Sequence, residues 1–172
     1  MTMSRYLTTV ELQKESMKFS AGHTTLFSAT EREPLHGHMY TVYLALTTWV
    51  EENGMTFDYR YYKDRIHQLC RHLNQTFLMP KFSPFLTFAE DDTYYYFTFN
   101  HKKIPFLKED VTIMPLTNIT VEELSRWFVE ELIKDREELI RHRIEKIVIK
   151  VFSAPGQSAS HQWLRPQESG QE

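Results

Sequence analysis

Apolar and polar positions along the chain fall into segments with two different periods. Leu7 to Ala21 alternates loosely, with a polar face, and predicts a long first strand that is bent or bulged along its length. Residues 24–35 read as a loop. Met39 to Val50 (MYTVYLALTTWV) is rich in β-branched and aromatic side chains and predicts a second strand. Glu51-Glu52-Asn53-Gly54 is a turn signal. From Tyr59 to Leu73 the period changes: Tyr62, Ile66, Leu69 and Leu73 recur at helical spacing and make one apolar face. A proline-containing connection leads to an aromatic stretch, TYYYFTFN, and then to Lys102, Lys103 and IPF, which read as strand, turn, strand.

Thr120 opens a second helix. Glu123 stands three residues on, the spacing of a capping box, and Val121, Leu124, Phe128 and Leu132 form the stripe to be buried. Ile144 to Phe152 alternates and closes the sheet. The order is strand, strand, helix, hairpin, helix, strand, with two of the connections too short for parallel crossovers. An α+β domain follows, with a four-stranded antiparallel sheet and two helices on one face. No repeat or linker divides the chain, so residues 1–164 are expected to form one domain, followed by a polar tail at 165–172.

Composition narrows the class. The chain of 172 residues is 41% hydrophobic and 14% aromatic, enough for one sizeable core. Net charge is −3, which argues against a nucleic-acid surface. No apolar run reaches the roughly 18 residues that a membrane-spanning helix needs. There is one cysteine, Cys70, so no disulfide forms within the chain and no paired-cysteine metal site exists, in keeping with a cytoplasmic protein. Cys70 itself falls on the apolar face of the first helix and reads as core packing.

The chemistry concentrates in histidines. His36-Gly37-His38 leads directly into the second strand, where side chains two apart share a face and can aim two imidazoles at one ion. Glycine between them removes bulk where the backbone passes the site. His23 ends the first strand, and a neighbouring strand can bring it alongside as a third ligand. Three histidines with one open position is the arrangement of catalytic zinc. Taken alone, such a pair is more often two surface histidines beside a turn.

The flanking residues add to this. Phe19-Ser20-Ala21-Gly22-His23, then Leu35-His36-Gly37-His38 with Tyr40, then Gly54-Met55-Thr56-Phe57-Asp58, resemble the 6-pyruvoyltetrahydropterin synthase and 6-carboxytetrahydropterin synthase family. Asp110-Val111, Pro115, Asn118-Ile119-Thr120-Val121-Glu122 and Pro155-Gly156-Gln157 are similar to a bacterial branch of it. The resemblance implies the tunnelling fold, in which subunits associate edge to edge into an oligomeric barrel as trimers or hexamers, with active sites between subunits. It implies zinc on His23, His36 and His38, and a reduced pterin triphosphate as substrate.

At other positions the sequence departs from the family. No cysteine precedes His36; Glu33 instead fits an E-x-x-H-G-H variant associated with side-chain cleavage, which makes Glu33 the candidate catalytic residue. Its alternative is a solvated loop carboxylate, Glu31 being as near. The family's Asp-His dyad falls on Asn74 and Gln75, which keep polar shape but lose proton transfer. The pterin-anchoring Glu falls on Ser153, which offers no carboxylate. Thr120 and Glu122 match positions near the ring, and also suit helix capping and a first-turn charge. The expected activity is a zinc-dependent lyase acting on dihydroneopterin triphosphate or a related pterin. The alternative is a metal-binding relative that is inactive or repurposed for another ligand.

Overall fold

The computed structural model describes residues 5–167. The long first strand is present in two pieces, β1 (Tyr6–Leu12) and β2 (Lys18–His23), which both run antiparallel to β3 (His36–Val50). Leu12 pairs with Leu44 and Lys18 with Thr41, so residues 13–17 bulge opposite only two residues of β3. Met17 pins the bulge: its side chain is buried, its N–H donates to the Lys14 carbonyl, and its carbonyl accepts from Val42. The turn after β3 closes with Gly54 N–H donating to the Glu51 carbonyl at 2.9 Å, and Gly54 takes φ of 75°, where a side chain would be strained.

Helix α1 (Arg60–Leu73) buries Tyr62, Ile66, Leu69, Cys70 and Leu73, the face that the periodicity marks plus the cysteine. Then come β4 (Thr76–Pro80), β5 (Thr87–Glu90), β6 (Tyr94–Phe99), β7 (Lys102–Leu107) and β8 (Val111–Met114). Helix α2 (Val121–Ile133) and a short α3 (Arg136–Arg141) precede β9 (Lys146–Ala154) and β10 (Gln157–Leu164). The main sheet runs β10-β9-β3-β2-β4-β8, with β1 extending β2 along β3.

The antiparallel four-strand core is therefore β1/β2, β3, β9 and β10, with α1 against β2 and α2 against β9 and β10. Three features were not expected from the sequence. The aromatic hairpin β6–β7 joins β5 in a separate three-stranded sheet. That sheet is a long connection between β4 and β8, and it lets them pair in parallel, as β2 and β4 also do across the longer β3–α1 connection. The fourth antiparallel strand is β10, beyond the turn at Gly156. Within one chain the sheet is open, with β10 and β8 as its edges.

One face of the sheet carries Phe19, Ala21, Tyr40, Val42, Leu44, Leu46, Ile147, Ile149 and Val151 against the helices. Phe128 of α2 is fully buried there, edge-on to Trp127 at 5.0 Å and tilted over Phe19 at 6.1 Å. Phe128→Ala removes this ring from the middle of the core. The expected loss is about 3–5 kcal/mol, measured as a drop in denaturation midpoint against the parent chain.

Of the polar tail placed at 165–172, residues 168–172 lie outside the described residues. Arg165 is anchored, donating from Nε to the Ile144 carbonyl and from a terminal nitrogen to the Leu139 carbonyl, each at 2.9 Å.

Candidate metal centre

The histidines stand at the end of the helix-covered face. His23 faces His36 across β2 and β3, and Ala21 faces His38, so register places all three imidazoles on one side. His36 Nε2 lies 3.2 Å from His23 Nε2 and 3.0 Å from His38 Nε2. The three ligand atoms all lie within 4.8 Å of one another.

The opposite ring nitrogens fix the tautomers. His23 Nδ1–H donates to the Ile119 carbonyl at 2.8 Å, and His36 Nδ1–H donates to the Pro34 carbonyl at 2.8 Å. A neutral imidazole that donates from Nδ1 presents a lone pair on Nε2. The His23 and His36 lone pairs thus point at each other and repel unless a cation sits between them. Tetrahedral zinc with Zn–N of about 2.0–2.1 Å requires N···N of roughly 3.3–3.4 Å, close to the two distances from His36 Nε2. The donor set therefore fits a metal ion, with its second shell of backbone carbonyls in place.

Electrostatics support the same state. Burial lowers the pKa of His23 and His38, and neighbouring imidazoles lower both further. The metal-free folded chain therefore resists protonation that the unfolded chain accepts. Its stability is expected to fall as pH drops below 6.5, the ordinary histidine value, towards the lowered folded values. Thermal unfolding of chelator-treated protein between neutral and mildly acidic pH checks this, and His38→Gln should flatten the profile.

Glu33 joins the trio. Its Oε2 is 4.0 Å from His36 Nε2 and accepts from Thr25 N–H at 3.3 Å, and hydrogen bonding from Thr25 holds the carboxyl below its usual range. The loop is fastened by Thr24 Oγ1 donating to the Glu33 carbonyl at 2.7 Å and by Glu33 N–H donating to the Thr25 carbonyl at 2.9 Å. Glu31 has no such link to the histidines among the described residues.

The other candidates are placed as follows. Thr120 caps α2, its Oγ1 accepting from Glu123 N–H at 3.3 Å. The reciprocal half of the capping box is absent: the Glu123 carboxylate accepts from Thr117 N–H and Oγ1 and from Arg126. Glu122 is exposed in the first turn. Thr120 follows the residue whose carbonyl holds His23. Asn74 turns its side chain to β2, its Oδ1 accepting from Ser20 N–H at 2.8 Å, and the backbone N–H of Gln75 donates to the Ser20 carbonyl at 2.7 Å. They tie the end of α1 to β2 and make no hydrogen bond to the histidines. Gln75 achieves this with a left-handed φ of 62°.

Ser153 lies on β9 one step beyond the Phe152–Thr41 pair, and so flanks Tyr40 on the same face as His38. Ser153 Oγ and Tyr40 Oη are both buried, and neither has a hydrogen-bond partner among the described residues. Such groups cost about 1–3 kcal/mol each unless something pairs with them.

Gly37 does not clear the metal site as its sequence position suggested. It pairs with Gly22 on the reverse face. A Cβ on Gly22 would lie 2.6 Å from the Phe77 ring, and one on Gly37 3.0 Å from the Ala21 carbonyl, so close packing there excludes side chains.

Several contributors carry no sequence signal, since backbone carbonyls at Pro34 and Ile119 do the orienting. Asn118 had a weak one, standing in the segment that carries the family resemblance. Its amide accepts from Leu26 N–H at 3.1 Å and donates to the Leu26 carbonyl at 2.9 Å, joining the Glu33 loop to the segment before α2.

The model of the 6-pyruvoyl tetrahydropterin synthase family matches residues 11–162. The chain belongs to that family. A Methanocaldococcus jannaschii protein provisionally assigned as a 6-carboxy-5,6,7,8-tetrahydropterin synthase is 24% identical over 148 residues, covering 84% of this chain and 89% of the relative. A similarly assigned Pyrococcus horikoshii protein is 26% identical, covering 78% and 79%. The structure of Plasmodium falciparum 6-pyruvoyl tetrahydropterin synthase superposes with a TM-score of 0.86 at 25% identity, covering 92% of this chain and 98% of that one. Plasmodium vivax structures in which a catalytic glutamate is replaced superpose at 0.87 with 23% identity and share the fold. Family membership and the histidine trio coincide: matched residues 11–162 contain the whole candidate centre.

Proposed function

We propose that the chain is a zinc-dependent lyase of this family that shortens the side chain of dihydroneopterin triphosphate or a related reduced pterin, with His23, His36 and His38 as ligands and Glu33 as base. The observation that carries the reading is the convergence of imidazole Nε2 atoms beside an ionised carboxylate 4.0 Å from His36 Nε2. His23, His36 and His38 would hold the zinc ion, and the chemistry it would supply when bound is Lewis-acid polarisation of a substrate oxygen. Glu33, held as carboxylate by Thr25, would accept the proton of the side-chain hydroxyl two carbons from the ring; that oxygen becomes a carbonyl as the carbon–carbon bond on its ring side breaks, the electron pair passes into the ring's C=N bond, and the proton returns from Glu33 to the carbon left on the ring. Ser153 Oγ supplies one neutral hydrogen bond to the ring, and that contact would satisfy its buried hydroxyl. Thr120 and Glu122, at the start of α2, are the further contacts proposed for the ring. A catalytic glutamate is the residue altered in the Plasmodium vivax structures, which supports the role given to Glu33.

The test is mass spectrometry of products after incubation with dihydroneopterin triphosphate. A shortened side chain supports the reading; a 6-pyruvoyl or 6-carboxy product contradicts it. A second reading, a metal-binding relative without the family reaction, is favoured by Asn74, whose side chain serves the α1–β2 junction. Absence of turnover with metal still bound would select it.

The cytoplasm is the proposed location, and association through sheet edges the proposed assembly. Strands β10 and β8 are each paired on one side only, and such edges are normally covered. No helix among the described residues is long and apolar enough to cross a membrane. Light scattering at micromolar concentration should give a trimer or hexamer; a monomer would count against this assembly.

A further inference from the structure

Two separate segments build the candidate centre around its histidines. His23 is held from the segment before α2, where the Ile119 carbonyl accepts from its Nδ1–H at 2.8 Å. Glu33 is carried by the loop between β2 and β3. One side chain bonds to both segments. Asn118 Oδ1 accepts from Ile119 N–H at 3.0 Å and from Leu26 N–H at 3.1 Å, and its Nδ2 donates to the Leu26 carbonyl at 2.9 Å. We propose that Asn118 is a positioning residue that couples the two, so that metal on His23 orders the loop that presents Glu33. That coupling needs the zinc centre proposed above but not its reaction.

The loop is braced within itself. Leu26 bridges Arg32, the N–H groups of Phe27 and Ser28 both donate to the Glu31 carbonyl, and Glu33 N–H donates to the Thr25 carbonyl at 2.9 Å. A restraint applied at Leu26 is therefore felt at Glu33. Among the described residues, the hydrogen bonds that leave residues 24–35 go to two places: to His36, through the Pro34 carbonyl, and to Asn118. The Leu26 side chain is buried, so Asn118 grips the loop where it is already seated.

The chemistry calls for an amide. Leu26 presents one donor and one acceptor, and a primary amide answers both at once. That pairing fixes which end of the Asn118 amide is oxygen, and the same oxygen takes Ile119 N–H. Ile119 is thus held on both sides, its N–H by Asn118 and its carbonyl by His23. An ion on His23 Nε2 strengthens donation from Nδ1 to Ile119 and fixes the ring. Asn118 passes that restraint to Leu26. Without an ion, the facing lone pairs of His23 and His36, 3.2 Å apart, push the ring against the same segment and loosen it.

The experiment is hydrogen–deuterium exchange of residues 24–35 in the full chain, read by mass spectrometry with and without zinc, alongside zinc affinity by chelator competition. In the parent, zinc is expected to slow exchange across this segment. Asn118→Ala should lower zinc affinity about tenfold, a usual effect of removing an outer-shell partner. Its loop should exchange equally fast with saturating zinc and without it. Asn118→Asp keeps both acceptor bonds and loses only the donation to Leu26, so it should hold zinc as the parent does while the loop's response to zinc shrinks. It also decides the matter if Asn118→Ala does not fold. An amide with a purely structural role would lower the unfolding midpoint and leave both zinc affinity and the loop's response in place, which overturns the proposal. So does a parent loop whose exchange is blind to zinc. A parent that takes up no zinc overturns the zinc centre and the coupling together, and shows in the metal content; a chain that binds zinc without turning over substrate loses only the reaction.

Discussion

The His36→Ala, His38→Ala double variant is expected to lose its metal, falling from one ion per subunit to none on elemental analysis after tag-free purification. The reason is geometric. His36 Nε2 is the central nitrogen, at 3.2 Å from His23 Nε2 and 3.0 Å from His38 Nε2, so removing it and His38 leaves His23 as a single imidazole. One imidazole does not hold a divalent ion against water. Nickel and copper bind such sites by the ordinary affinity order, so a purification tag rich in histidine would confuse the result. Acidification should release metal from the parent chain because each ligand must be neutral. Burial lowers the pKa of His23 and His38, which opposes release as the pH falls. A double variant that retains the parent's metal content would refute the assignment.

Glu33→Gln is expected to lower side-chain cleavage by about a hundred- to ten-thousand-fold, the usual contribution of a general acid–base group. Glutamine keeps the size and can still accept from Thr25 N–H, so the loop and the metal content should stay as they are. Loss of rate with metal retained separates proton transfer from metal binding. No other carboxylate lies in ion-pair range of the histidines among the described residues. Glu137→Gln, on the exposed face of α3 and away from the histidines, should leave the cleavage rate unchanged and serves as the control. Native turnover indifferent to Glu33 would remove its role.

Much of this was legible because it depends on period and register. The apolar face of α1, the Thr120 cap, the bulged first strand and the convergence of His23 with His36 and His38 each follow from spacing within one segment or between two paired ones. What stayed hidden depends on partners distant in sequence. The hairpin at 94–107 has the alternation of a strand pair, yet alternation does not say which sheet a hairpin joins. Strand β10 is mostly exposed, so its sequence lacks an apolar face to mark it. The role of Asn74 could not be read from its chemistry, because its partner is a backbone N–H at Ser20. The need for glycine at position 37 was read as clearance for the site, whereas the close contact is the Ala21 carbonyl on the neighbouring strand.

The central claim is that three imidazoles hold one zinc ion. X-ray absorption at the zinc edge of tag-free, full-length protein tests it most directly. The expected result is one zinc per subunit, with three nitrogen neighbours at about 2.0–2.1 Å, imidazole outer-shell scattering and one further light-atom ligand. Protein without stoichiometric metal, or zinc with a sulfur neighbour or fewer than three imidazoles, would contradict it.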